Sequence, residues 1–495
     1  MGEILDKVYS LVWGVPMLVL ILGVGALLSL RTGFAQLRLF PAACRDFWKR
    51  LRGKPSDSSG VTPFQALCTA LAATVGTGNL AGVAGALAIG GPGAIFWMWI
   101  CALLGMMTKL AEAALSVRYR VTEGGQTLAG PMYTIRHGLG KSWAWLGAIY
   151  SFFGVIAAFG VGNATQINSV VTGFHDCLQV FGFAGSRTLD YVLVGILSLV
   201  ILVLLLGGAG RIGRITETLV PIAATAYLLL GTVALMLRLD AIPDAFRQIF
   251  QGAFQPTAVT GGMVGSMMST LRVGVSRGVF TNEAGMGTAG IAHGGAQVNH
   301  PVEQGLMGII EVFLDTIVIC TLTALVILCS GAPIPYGTEA DAALTASAFS
   351  AVLGDWVRVL IALSLCMFAF ATILGWGFYG ARCAQYLFGP RAWNKIAWLQ
   401  ALTVILGGIL STKTVWRLAE IVNGLMAVPN LIALAALSPE LCRLILDYQR
   451  KTGKQAGGGT LCKFPSMQTA VNLPPCESSI PTRWQQRSRG RKSTI

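Results

Sequence analysis

Residues 71–91 read LAATVGTGNLAGVAGALAIGG, an apolar run interrupted by Gly76, Thr77, Gly78 and Asn79. The run extends back to about residue 63. A straight helix over 63–90 would be roughly 42 Å long, more than a hydrocarbon core. A break near Gly76–Asn79 accommodates that length. It also frees backbone N–H and C=O groups, which a membrane tolerates only where they face a cavity or a ligand. The half-helix that starts after Gly78 points amides and a positive dipole end at any carboxylate placed there. The Asn79 amide and the Thr77 hydroxyl are suitable further donors. A second stretch, 261–291, has glycines at 274 and 278 and polar groups at Ser276, Arg277, Asn282 and Glu283. A break at Gly274 would leave carbonyls near Val273 free to accept from an ammonium. Two interrupted segments in corresponding positions of two halves point to an inverted-repeat secondary transporter. The competing reading is close packing, since Gly78/Gly82 and Gly274/Gly278 both have the small-xxx-small spacing.

Other polar groups lie within apolar runs. Gln166, in GNATQIN, could meet a ligand or could bond a neighbouring helix. Glu112, Glu283, Glu303, Glu311 and Asp315 are functional candidates because membrane acids are costly. Glu112 follows Lys109 by three residues, a spacing suited to an ion pair. Glu283 and Arg277 are expected to hold the second broken segment together or to serve an inner gate. Residues 62–100 contain no acid, which argues against a carboxylate proton relay there. None of the four histidines has a metal or catalytic partner legible in the sequence. HExxH, GxSxG and paired Cys/His clusters are absent, so nothing supports an enzyme. The polar residues gather at two breaks and do not line a continuous pore, which speaks against a channel. The eleven cysteines form no CxxC pair and read as small buried hydrophobes.

The elements that would position these residues are membrane helices. Apolar residues are 54% of the 495, charged residues 12%, and mean hydropathy is +0.66. Alternating ten-residue segments, the mark of a transmembrane barrel, do not occur. About eleven spans are expected, at 12–30, 63–90, 92–116, 143–172, 189–207, 216–238, 261–291, 304–330, 351–388, 394–411 and 415–438. The first is read as a retained helix and not a signal peptide. The loop after it carries Arg31, Arg38, Arg45, Lys49, Arg50, Arg52 and Lys54. That loop is therefore expected to be cytoplasmic, with the N-terminus outside and the C-terminus inside. The net charge of +14 follows from such loops and from a basic tail, and implies no nucleic-acid partner. The chain divides into an N-terminal helix and basic loop (1–60), two five-helix repeats (61–240 and 241–440) and a tail (441–495). The tail reads as disordered, either solvated or lying on anionic lipid.

Four stretches carry a resemblance: VGTGNLAGVAGALAIGGPGAIFWMW at 75–99, MMTKLAEAALSVRYR at 106–120, RGVFTNEAGMGTA at 277–289 and ATILGWGFYG at 371–380. With them the chain resembles the alanine or glycine:cation symporter (sodium:alanine symporter) family from its first helix to about residue 440. It departs from the family at Ala129, Thr134 and Thr288, which leaves substrate preference open. The resemblance implies an all-α integral membrane protein of the amino acid–polyamine–cation type. Ten core helices would form the inverted repeat, with one extra helix in front. It implies uptake of alanine or glycine across the cell inner (plasma) membrane, usually with sodium and without a further cofactor. Proton-coupled transport of another small amino acid is the alternative. The resemblance also implies a substrate site of Thr77, Gly78, Asn79, Gln166, Val273, Gly274, Thr372 and Trp376. In this fold Thr372 faces the first broken helix, so that its hydroxyl, with backbone oxygens near Ala72 and Val75, would cage sodium. Trp376, one turn further on, would wall the side-chain end of the pocket.

Overall fold

The computed structural model describes residues 7–9, 11–52, 60–183, 185–409 and 413–452. Each expected span finds a helix. Helix α1 covers Val15–Arg31 and is followed by the amphipathic α2, Phe40–Leu51. The first broken span is α3, Pro63–Thr74, and α4, Gly78–Gly90, bent by 51° at the junction. Helices α5 (Gly93–Arg118), α6 (Lys141–Val180), α7 (Arg187–Leu206) and α8 (Gly208–Met236) complete the first set of five. The short α9, Ile242–Phe254, leads into the second set. That set begins with a broken pair, α10 (Met267–Asn282) and α11 (Thr288–His293). It continues with α12 (Pro301–Cys329), the short α13 (Ala342–Leu353), α14 (Val357–Phe388), α15 (Ala392–Ile409) and α16 (Lys413–Ala436). Helix α17, Ser438–Lys451, closes the described chain.

Local sequence explains the elements that matter for the site. Helix α3 starts on a capping box: Thr62 Oγ1 accepts from Gln65 N (3.1 Å), and Gln65 Oε1 accepts from Thr62 N (3.1 Å). Pro63 occupies the first helical position, where its missing N–H costs nothing. Helix α5 lies along both α10 and α12 and is largely buried. The single sheet among the described residues is a hairpin, β1 (Val121–Glu123) and β2 (Gln126–Leu128), with Thr122 opposite Thr127. Gly124 and Gly125 turn it at φ of 57° and 78°, which side chains adopt at a cost.

Two expectations need correction here. The second break is not at Gly274 or Gly278. Helix α10 runs unbroken through both, and the chain leaves helical geometry at Glu283–Gly287. The tail expected from residue 441 begins as a helix: Leu441, Leu444 and Ile445 on α17 bury one apolar face. Residues 453–495, the rest of that tail, lie outside the described residues.

Candidate functional site

The first break is built by Asn79. Its Oδ1 accepts from Gly76 N (2.9 Å). Its Nδ2 donates to Asp315 Oδ1 (2.7 Å) and Asp315 O (3.2 Å) on α12. The side chain is fully buried and its polar atoms are occupied by protein. Asn79 thus holds the break open from inside. A continued helix would give Gly76 N to the Ala72 carbonyl, but Asn79 takes that donor, so Ala72 O is released from the ladder. Asn79 N turns to Gly76 O (3.3 Å), which releases Val75 O in the same way. Val75 itself is extended, at ψ 96°.

Helix α14 presses against this break. A Cβ on Gly76 would stand 2.6 Å from Thr372 Oγ1, so only glycine allows the approach. The Thr372 hydroxyl donates to Phe368 O (3.0 Å), the bond within its own helix that threonine commonly makes. With its proton so placed, its lone pairs are what it can offer to a neighbour, as a cation ligand must. Thr372 thus lies against Gly76, the residue that follows Val75 at the break.

The second break lies at the residues Glu283-Ala284-Gly285-Met286-Gly287. Glu283 (φ 53°), Gly285 (φ 96°) and Gly287 (φ 81°) adopt left-handed geometry. Glu112, on α5, holds the freed amides: its Oε1 accepts from Gly285 N (2.9 Å) and Gly287 N (3.1 Å), and from Asn430 Nδ2 (2.8 Å). Glu112 does not pair with Lys109 as expected. Lys109 reaches across to Glu311 Oε1 on α12 (2.7 Å), because the break supplies Glu112 with donors closer than its own helix does. Glu283 Oε1 accepts from Trp376 Nε1 (2.8 Å) and its Oε2 from Thr288 Oγ1 (2.6 Å). Glu283 therefore braces the break to α14 and α11. Arg277 pairs instead with Glu420 on α16 (3.2 Å).

The two breaks meet. A Cβ on Gly78 would contact Thr281 Cγ2 at 3.2 Å, which places the start of α4 against the end of α10. Helix α6 completes the enclosure with a π-helical turn at Gly160–Ala164. Gly162 lies directly on Trp376, whose Cβ an added methyl would overlap. One turn on, Gln166 donates from Nε2 to Val161 O (3.2 Å). Its Oε1, like Thr77 Oγ1 and Tyr379 OH, is buried without a protein partner among the described residues. Native interiors seldom leave such atoms unpaired, and their presence here marks space for a polar ligand or water.

Val273 and Gly274 are not part of this cluster. They sit in the interior of α10, where helical hydrogen bonds use their backbone groups. Gly274 lets α10 approach α5: an added methyl would overlap Ala94 O and come within 2.7 Å of Trp97 Cβ. The packing reading of that glycine pair is the one the structure bears out. The ammonium-accepting carbonyls assigned to Val273 are thereby withdrawn. Glu112 and Asp315, named from sequence as costly membrane acids without a place, turn out to shape the breaks, and Asn430 beside Glu112 was missed. The cluster N-E-A-G-M-G at 282–287 was the available signal for the second one, because it alternates flexible glycine with polar groups.

Below the breaks, on the side of the basic loops, a cavity of about 1320 Å³ opens to solvent. Gln65, Thr69, Arg120, Gln126, Glu217 and Arg382 are among its lining residues. On the other side α13 covers the first break, with Thr345 Oγ1 donating to Leu80 O (3.1 Å), and the Arg277–Glu420 pair ties α10 to α16.

A family model described as the sodium:alanine symporter family matches residues 1–459. The chain belongs to the sodium:alanine symporter family. It is 41% identical over 445 residues to a sodium/alanine symporter AgcS of Methanococcus maripaludis, covering 88% of this chain and 94% of that one. An uncharacterized transporter of Haemophilus influenzae is 42% identical over 454 residues, covering 90% and 96%. A probable sodium/glutamine symporter GlnT of Bacillus subtilis is 34% identical over 462 residues, covering 92% and 93%. Among solved structures the chain resembles MhsT in complex with L-phenylalanine, with a TM-score of 0.54 at 14% identity, covering 80% of this chain and 99% of that one. That likeness establishes the fold: an inverted five-helix repeat with an extra N-terminal helix. The protein is a multi-pass membrane transporter and not an enzyme.

Proposed function

We propose that the chain imports a small neutral amino acid, alanine or glycine, together with sodium across the plasma membrane. The observation that carries this reading is the meeting of two broken helices under Trp376. There the Thr372 hydroxyl abuts Gly76, and the carbonyls of Ala72 and Val75 released next to it are the further oxygens this reading assigns to sodium. Amides at the start of α4 face the same region and suit a carboxylate. Gln166 Oε1 and Thr77 Oγ1 are polar atoms without protein partners, available to the substrate. Trp376 is fully buried and fixed at both ends, by Glu283 and by Gly162, so it limits the side chain to a methyl group or a hydrogen. The relatives include both an alanine and a probable glutamine symporter, so residues of this kind, and not family membership, set the substrate size.

In this reading the basic loops face the cytoplasm and the N-terminus lies outside. The open cavity then makes this an inward-facing state, with the Arg277–Glu420 pair and α13 closing the outer side. Residues 61–240 and 241–440 are the two repeats whose relative movement exposes the site to one side at a time. A direct test is binding of labelled alanine and glycine to the purified protein in sodium, potassium or choline salts. Saturable binding in sodium alone supports the reading. Equal binding in all three salts contradicts it.

A further inference from the structure

The cavity holds a cation that the transport site does not use. Arg382 lies on α14 six residues beyond Trp376, about 9 Å further along the helix axis. It is 8% exposed and lines the cavity. Its guanidinium stands over two aromatic rings, Phe378 on its own helix (5.4 Å) and Trp393 at the start of α15 (5.3 Å). Trp393 is itself fixed by its Nε1 bond to Leu205 O (2.9 Å). Nη1 donates to two neutral oxygens, Gln126 Oε1 on β2 (3.4 Å) and Gln385 Oε1 (3.0 Å). Nε and Nη2 have no acceptor among the described residues, and no carboxylate pairs with this side chain there. A guanidinium removed from water to this degree ordinarily carries an anion. The other cations of the lining are Arg120, whose Nη1 donates to Ala296 O, and Arg214, which lacks the aromatic clamp; the lining carboxylate Glu217 accepts from Gln65 Nε2 (2.9 Å) and makes no ion pair with Arg382 among the described residues.

We infer that Arg382 is a second carboxylate-binding site, on the path between the broken helices and the cytoplasm. Its unused Nε and Nη2 edge takes the α-carboxylate of the amino acid that has left the upper site, in the bidentate geometry a guanidinium favours. The two rings hold the plane of the fork in place. This rests on the transport reading given above, and it adds a binding step on the cytoplasmic side of the broken helices. The site would also accept the carboxylate of a cytosolic molecule that is not transported, such as acetate.

The test uses the full chain in right-side-out and inside-out membrane vesicles, with labelled alanine entering from either face. Arg382→Gln should raise the half-saturating alanine concentration from the cytoplasmic face about tenfold, while the outer face changes less than about twofold. Arg382→Lys, which keeps the charge and loses the fork, should fall between. Acetate should compete with alanine at the cytoplasmic face of the wild type, more strongly than chloride, which cannot bridge the two N–H groups of the fork, and this arm needs no variant to fold. Equal shifts at both faces, or no shift at the cytoplasmic face, would overturn the assignment. So would chloride competing as well as acetate. Absence of alanine entry from either face of wild-type vesicles would instead overturn the transport reading itself.

Discussion

In the proposed reading, substrate size turns on Trp376. Its indole is held by Glu283 and seated against Gly162, so a longer substrate cannot push it aside without breaking both contacts. Trp376→Ala should let valine and leucine compete with labelled alanine for uptake, whereas Trp376→Phe should keep the size limit and lose only the bond to Glu283. Unchanged competition in the alanine variant would reduce Trp376 to packing. Thr372 yields a second prediction. Thr372→Val keeps the shape and removes the oxygen, and should raise the sodium concentration for half-maximal uptake by about tenfold, while Thr372→Ser should stay within about threefold. Equal sodium curves would remove the hydroxyl from the ion site. Asn79 is legible in the sequence as a polar group at a helix break, and the structure adds a bracing role to the substrate contact expected of it. Its residue type shows a polar group at a helix break, but not that Asp315 waits on another helix to occupy it. Asn79→Ala should therefore lower thermal stability as well as uptake, by about 1–3 kcal/mol, because Asp315 loses its buried donor.

At the scale of elements, the first break could be read from sequence because its glycines, its hydroxyl and its amide coincide with excess helix length. The second could not be placed the same way. Gly274 and Gly278 serve an approach between helices, and glycine for packing looks the same in sequence as glycine for unwinding. What separates them is φ, which only the folded chain displays: the left-handed residues are Glu283, Gly285 and Gly287. The two glycine sets should respond differently to substitution. Gly274→Leu should lower stability by wedging α10 from α5 while surviving protein keeps its alanine affinity. Glu112→Ala, which strips two amides of the second break of their acceptor, should weaken alanine binding and speed hydrogen exchange at residues 283–288. If both changes altered affinity alike, the break would not be where the backbone puts it.

At the scale of the molecule, a buried ion pair ties the fixed helices together. Lys109 and Glu311 are both fully buried, and Glu311 also meets His293 Nε2 on α11 (3.0 Å), so one carboxylate joins α5, α12 and the half-helix after the second break. Lys109→Met should lower stability by about 3–5 kcal/mol in thermal unfolding, since it strands Glu311 without its cation. The composition foretold the membrane class, and the apolar runs foretold where its helices lie. It could not foretell this pairing, because Lys109 and Glu311 are brought together only when α5 lies along α12. The same helices anchor both breaks, α12 through Asp315 to Asn79 and α5 through Glu112 to Gly285 and Gly287. Sodium-driven import of a small amino acid through those breaks is tested most directly by labelled alanine uptake into proteoliposomes with a sodium gradient and a proton gradient imposed separately. Concentrative uptake under the sodium gradient alone, lost in Thr372→Val at low sodium, is the expected result. Uptake driven by a proton gradient in the absence of sodium would contradict it.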